Sequence, residues 1–406
     1  MQNADTAILD SDIPVLDIDP YAEEVMRDPE PFHHQLREAG PVVFLSKYGV
    51  YAVGRYDVTH KVLHDHVHFL SSGGIGLTDI RKPGALRAPS PISEVDPPQH
   101  TQVRAALTKV ISPVVLRQWK TSFTEEAGRV VDRCLEKGQV DAVTETVQEF
   151  VLNAFTGALG VKMPKANFLD LGEMNFNQMG PDNEIYRRSM ERVAPILDDY
   201  QRAFQRESVI PGGFAEKIFE AEDRGEFAPG TGGVQVRSFL RAGVDTTIAG
   251  IGETLKHLAQ NPAEWEKLKA NPGKVKAAFD EAIRLGSPAR VIYRVTSGEV
   301  DLEGCRLRDD MKVGCFLGAA NRDPQKFPDP DRFSVDRETA GVHVALGTGV
   351  HNCIGQNIAR LEAECILGEL VRRVDRIELT GEPVYRMVNA LRTLESLPVR
   401  LVAKAA

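Results

Sequence analysis

The sequence predicts a mainly α fold with a minor β subdomain. Apolar residues recur at helical spacing through most of the stretch from about 98 to 290, and short β-branched runs lie on either side of it. No linker, repeat or low-complexity tract divides the 406 residues, so one large domain over 1–406 is expected. In chain order, 42–44 and 50–53 read as strands turned by Lys47-Tyr48-Gly49. Within the helical stretch, Phe239, Leu240, Val244, Ile248, Ile251, Leu255 and Leu258 share one side of 236–259, which predicts a central helix. Asn261-Pro262 ends it, because proline suits the first turn of the next helix. Short strands return at 291–302 and near 398–402, while 71–93 and 164–183 have no clear periodicity.

Composition excludes several classes. The apolar content of 42% is ordinary for a globular protein, and a net charge of −9 argues against nucleic acid or an anionic membrane as the main partner. Cys134, Cys305, Cys315, Cys353 and Cys365 form an odd, scattered set without a CxxC pair, which supports neither a disulfide framework nor a zinc site. The first 20 residues lack a cationic segment followed by an apolar run, and nowhere do about 18 apolar residues run together. A soluble, cytoplasmic monomer is expected.

The most informative segment is Gly347-Thr348-Gly349-Val350-His351-Asn352-Cys353-Ile354-Gly355, a glycine-laced loop entering a helix patterned by Ile354, Ile358, Leu361 and Cys365. Glycines let a backbone approach a flat object closely. A sulfur near a helix N-terminus gains from the free N–H groups there, which favours a thiolate acting as metal ligand or nucleophile. Alone, Cys353 would be read as a small buried hydrophobe.

Three further motifs accompany it. Ala242-Gly243-Val244-Asp245-Thr246-Thr247 sets an acid and an alcohol in the central helix, an arrangement that serves equally to bend a packed helix. Glu281-Ala282-Ile283-Arg284 places opposite charges at i and i+3, on one helical face. Phe327-Pro328-Asp329-Pro330-Asp331-Arg332-Phe333 is a rigid turn delivering a second arginine.

Together, in this order and spacing, these motifs resemble the cytochrome P450 superfamily, with Leu346 where its haem loop carries phenylalanine. The resemblance implies the P450 fold, haem b ligated by Cys353, and contacts to the haem from Gly347, Gly355, Ala242 and Gly243. It makes His100, Arg104, Arg294 and His351 propionate partners, Asp245 and Thr246 the pair facing dioxygen, and Glu281, Arg284 and Arg332 a buried Glu-Arg-Arg brace. In the family, 71–93 and 164–183 lid the substrate pocket. With no flavin or iron–sulfur motif in the chain, the implied electron source is NAD(P)H through an external [2Fe–2S] ferredoxin and ferredoxin reductase.

Arg87-Ala88-Pro89-Ser90 and Arg237-Ser238-Phe239-Leu240 look like segments of the bacterial para-substituted benzoate oxidases. That likeness implies that Arg87, Ser90, Arg237 and Ser238 hold a carboxylate and that Phe176 contacts the ring of a small aromatic acid such as 4-methoxybenzoate. Arg241 departs from the pattern, a large cation where a small residue is expected. A terpenoid, fatty acid or polyketide monooxygenase and a haem sensor without turnover are the alternatives.

Overall fold

The computed structural model describes residues 13–405; of the first 20 residues read for a leader, 1–12 lie outside them. The described residues bury four apolar clusters. The largest is helical and joins Phe123, Phe150, Val236, Ile251, Leu285 and Ile366; the second lies on the main sheet and joins Val53, Val62, Phe69, Val313 and Phe327, and two smaller ones centre on Phe32 and Phe176.

The long helix Pro113–Lys137 illustrates how local chemistry sets the frame. Ser112 caps it by accepting from the Val115 N–H at 3.4 Å, Pro113 supplies a preset φ in the first turn, and Gly138 stops it at φ +73°. It packs against Gln356–Arg373, the helix that follows the Cys353 loop. Asp245–Gln260 packs on Val275–Gly286 and on the strand Arg392–Ser396. It is buried almost all round, with Thr247, Glu253 and Thr254 as hidden as Ile251.

The main sheet has six strands in the order Val15–Leu16, Val43–Leu45, Val50–Val53, Lys312–Phe316, Val291–Thr296 and Phe69–Leu70. Gly49, at φ +63°, closes the expected hairpin between the second and third. Antiparallel pairing of Val291–Thr296 with Lys312–Phe316 sets Arg294 opposite Val313. A second sheet joins Val374–Leu379, Pro398–Ala403 and Gln139–Asp141.

The central helix expected over 236–259 is two helices, Gly232–Gly243 and Asp245–Gln260, interrupted at Val244. The 164–183 stretch contains the helix Lys165–Asn177, whose last six residues are buried whatever their polarity, so no polar face marks it in the sequence. Among the described residues no helix is long and apolar enough to cross a membrane, and all five cysteines are free.

Candidate active site

The Cys353 loop folds back on itself, with the Cys353 N–H donating to the Leu346 carbonyl at 2.8 Å. Gly347 and Gly349 take φ +67° and +68°. A Cβ on Gly349 would lie 2.9 Å from the Cα of His64, so glycine there serves both the left-handed backbone and the close approach to the Tyr56–His64 helix. Burial pushes the Cys353 thiol up, against the N–H groups of Gly355 and Gln356 and the charges of Arg104 and Arg360. The expected N–H groups are present and favour the thiolate, burial opposes them, and a bound metal would deprotonate the thiol.

One large cavity opens over this sulfur, and four bases line it together: His100, Arg104, Arg294 and His351. The imidazoles of His100 and His351 stand 4.1 Å apart between centroids, and Nε2 of each is buried without a hydrogen-bond partner. Burial, then repulsion from Arg294, His100 and Arg104, pushes His351 down to about 2. Arg294 donates only to its neighbour's carbonyl, Tyr293 O, at 2.9 Å. Arg104 instead clamps Asn352, donating to its backbone O at 2.6 Å and to Oδ1 at 2.5 Å, and so steadies the residue before Cys353. Orphaned imidazoles, and guanidinium groups without a carboxylate partner among the described residues, beside a cysteine fit a flat cofactor bearing carboxylates, as haem does.

The helix interruption supplies the opposite wall. Thr246 Oγ1 donates to the Ala242 carbonyl at 2.5 Å across the break, and Ala242, Gly243, Thr246 and Thr247 line the cavity. A Cβ on Gly243 would meet Phe155 at 2.7 Å, so this glycine lets the Glu149–Leu159 helix pack closely there. Asp245 turns away from the cavity toward Gly172 of the Lys165–Asn177 helix. Its Oδ2 is buried without a partner, and burial holds the carboxyl up at about 7, with Arg386 opposing and Glu173 reinforcing the rise.

The charged brace is real, but its third member is not Arg332. Arg284 donates to Glu281 through Nε (2.8 Å) and Nη2 (3.0 Å), and Arg337 Nε donates to Glu281 Oε1 at 2.8 Å. Arg332 is exposed and contributes only its carbonyl, which accepts from Arg337 Nη2 at 2.8 Å. The turn over 327–333 orients the backbone, and the guanidinium arrives five residues later.

At the substrate end, Arg87, Ser90, Ser238, Phe176 and Arg241 all line the cavity, whereas Arg237 does not. Arg87 is engaged by Glu94 through both of its terminal nitrogens, one at 2.6 Å, with side-chain exposures of 5% and 0%. Glu94 also accepts from the N–H groups of Ile75 at 2.9 Å and Ser90 at 2.8 Å. Burial raises the Glu94 carboxyl, but Arg87 and these N–H groups outweigh it and hold the group below its ordinary range. Arg87 is thereby neutralised within the protein, contrary to its expected freedom to hold a substrate carboxylate. Ser238 Oγ donates to Val234 O at 2.9 Å.

Sequence reasoning missed Glu94 and Glu362. Glu94 lies in the Glu94-Val95-Asp96-Pro97-Pro98 run and carried no pattern of its own. Glu362 sits on the Cys353-side helix at full burial, where desolvation pushes its carboxyl well up against a small pull from the Thr247 hydroxyl.

A cysteine under a cavity ringed by bases that lack a carboxylate partner, facing a broken helix, is the arrangement of a haem-thiolate protein. Known proteins agree. The model of the cytochrome P450 family matches residues 214–384. The chain is 42% identical over 391 residues to cytochrome P450 CYP199A2 of Rhodopseudomonas palustris, spanning 96% of this chain and 95% of that one. It is 27% identical over 400 residues to the beta-dihydromenaquinone-9 omega-hydroxylase of Mycobacterium tuberculosis, spanning 96% and 79%. The solved structure of cytochrome P450 CYP109Q5 from Chondromyces apiculatus aligns with a TM-score of 0.80 at 30% identity, over 96% of this chain and 99% of that one. The chain belongs to the cytochrome P450 family. It is a monooxygenase that binds haem b and takes electrons from NAD(P)H through redox partners.

Proposed function

We propose that this monooxygenase acts on a small aromatic carboxylic acid, O-demethylating or hydroxylating a para-substituted benzoate such as 4-methoxybenzoate. The cavity lining carries this reading. Phe155, Phe176, Phe239 and Phe279 supply aromatic walls, and Ser90, Ser238 and Arg241 bring hydroxyl and guanidinium groups to the same space. Aromatic walls suit a ring, and donors suit a carboxylate that would otherwise be buried unpaired at a cost of several kcal/mol. The likeness of the Arg87–Ser90 and Arg237–Leu240 segments to the benzoate oxidases supports the same class.

Haem b, bound through Cys353, supplies the activation of dioxygen. The chain's part is to deliver protons and to orient substrate. Asp245 Oδ holds a proton up to about pH 7, which suits a group that must give one up near neutrality. Thr246 Oγ1 has its proton parked on the Ala242 carbonyl, and a rotation about χ1 releases it toward the cavity. His100, Arg104, Arg294 and His351 are the residues that would hold the cofactor's carboxylates. Electrons come from a [2Fe–2S] ferredoxin and its NADH-dependent reductase, since the chain contains no redox motif besides the haem loop.

Titration of the ferric protein with 4-methoxybenzoate, camphor and a long-chain fatty acid tests this. The expected result is a low-spin to high-spin Soret shift with the benzoate, and formaldehyde release when the redox partners are added. A shift with camphor or the fatty acid alone would move the enzyme to the terpenoid or lipid class; binding without turnover would make it a sensor.

A further inference from the structure

We propose that Arg241, rather than Arg87, is the specificity-determining residue that anchors the substrate's acid group. This rests on the aromatic-acid reading and names the residue behind it. Arg241 lines the cavity, yet it forms no hydrogen bond or ion pair with any described residue. The nearby acid is Glu94, already engaged by Arg87 and by two backbone N–H groups. The only carboxyl among the described lining residues is Glu362, which burial pushes well above its ordinary range, against the anion. A guanidinium cannot shed its charge at any ordinary pH, so a cation left in a largely apolar cavity calls for an anion from outside the chain.

The surroundings reinforce the assignment. Arg237, one helical turn before Arg241, has a buried Nε without a partner, and the Tyr200 hydroxyl close to both is likewise buried and unpartnered. No carboxylate offsets this group except the engaged Glu94. Burial lowers the Arg241 guanidinium, and Arg87 and Arg237 add repulsion that Tyr200 and Glu94 only partly relieve. Arg241 and Thr246 stand on either side of the break at Val244 and line the same cavity, so a benzene ring held by its acid at Arg241 can present its para substituent toward Thr246, where the site delivers protons. The same position explains why Arg87 can be spent on Glu94: the pair closes the lid segment while another arginine recognises substrate.

The test compares 4-methoxybenzoate with its uncharged counterpart 4-methoxytoluene, reading dissociation constants from the Soret shift of wild type, Arg241→Gln and Arg241→Lys holoproteins. In Arg241→Gln the acid should bind roughly 10- to 100-fold more weakly while the neutral compound changes by less than about threefold, and Arg241→Lys should restore most of the lost acid affinity. Unchanged acid affinity in Arg241→Gln would overturn the anchor and leave the aromatic-acid reading intact. Equal losses for both compounds, without rescue by lysine, would reduce Arg241 to a packing residue and overturn it too. Wild type that binds neither aromatic compound but responds to camphor or a fatty acid would instead bring down the aromatic-acid reading, and the anchor with it.

Discussion

Glu281 accepts from two arginines at once, and the identity of the second separates two experiments. Arg337 reaches Glu281 Oε1 and also donates to the carbonyls of Pro328, Asp329 and Arg332, so its guanidinium ties the 327–333 turn to the Val275–Gly286 helix. Arg337→Gln should cost roughly 3 kcal/mol, because it leaves a buried carboxylate half-paired and takes the guanidinium donor from the carbonyls of Pro328 and Arg332. Arg332→Gln should stay within about 0.5 kcal/mol, as exposed positions usually do. Urea denaturation of both variants measures this, and equal losses would contradict the assignment. The sequence made the cluster legible because Glu281 and Arg284 sit one helical turn apart, a local relation. Its third member depends on how a proline-rich turn exits, and neither Arg332 nor Arg337 carries a mark that distinguishes them before folding. Arg87 failed for a related reason: its partner Glu94 lies seven residues away across a loop, where spacing implies no contact.

Secondary-structure elements were legible where periodicity had one solvent face to report. The helix Pro113–Lys137 has such a face, while Lys165–Asn177 hides Glu173, Asn175 and Asn177 along with Leu171 and Met174, so its pattern carried no signal. Periodicity does not mark the break at Val244, since the apolar residues on each side keep their spacing through it. The break has an energetic consequence. Asp245 opens the second helix pointing into protein, close to Glu173, which is itself paired with Arg192 at 3.0 Å and Arg386 at 3.6 Å. Folding thus raises this carboxyl from an ordinary value near 3.8 to about 7. Because the folded state binds the proton more tightly, the stabilisation is complete below about pH 4 and is lost as pH rises through about 7. At about 1.4 kcal/mol per pH unit, the loss approaches about 4 kcal/mol. Asp245→Asn keeps the neutral shape at every pH. It should match wild type near pH 4 and be the more stable protein at pH 8, as followed by thermal melting across that range. A constant difference from pH 4 to pH 8 would mean that the carboxyl titrates normally.

On the scale of the whole molecule, the cofactor site lies where the helical core meets the sheet. Cys353 and His351 belong to the loop that leads into Gln356–Arg373, His100 to the helix Gln99–Val110, and Arg294 to the strand Val291–Thr296. Four bases from three elements converge, and the one acid lining the cavity beside them among the described residues is Glu362, whose carboxyl burial pushes well up. The desolvation of Arg104 and Arg294 and the two orphaned imidazole nitrogens oppose folding until carboxylates arrive. Cofactor binding must then stabilise more than its own pocket, because each propionate would link elements from different cores. Haem extracted from the holoprotein should therefore leave a chain that melts at least about 10 °C lower and loses amide protection both in the 347–355 loop and in the Val291–Thr296 strand. Protection lost in the loop alone would confine the effect to the cysteine ligand. Readdition of a haem dimethyl ester, which keeps the iron but lacks the carboxylates, isolates the contribution of the bases: it should restore the loop but leave the strand open to exchange.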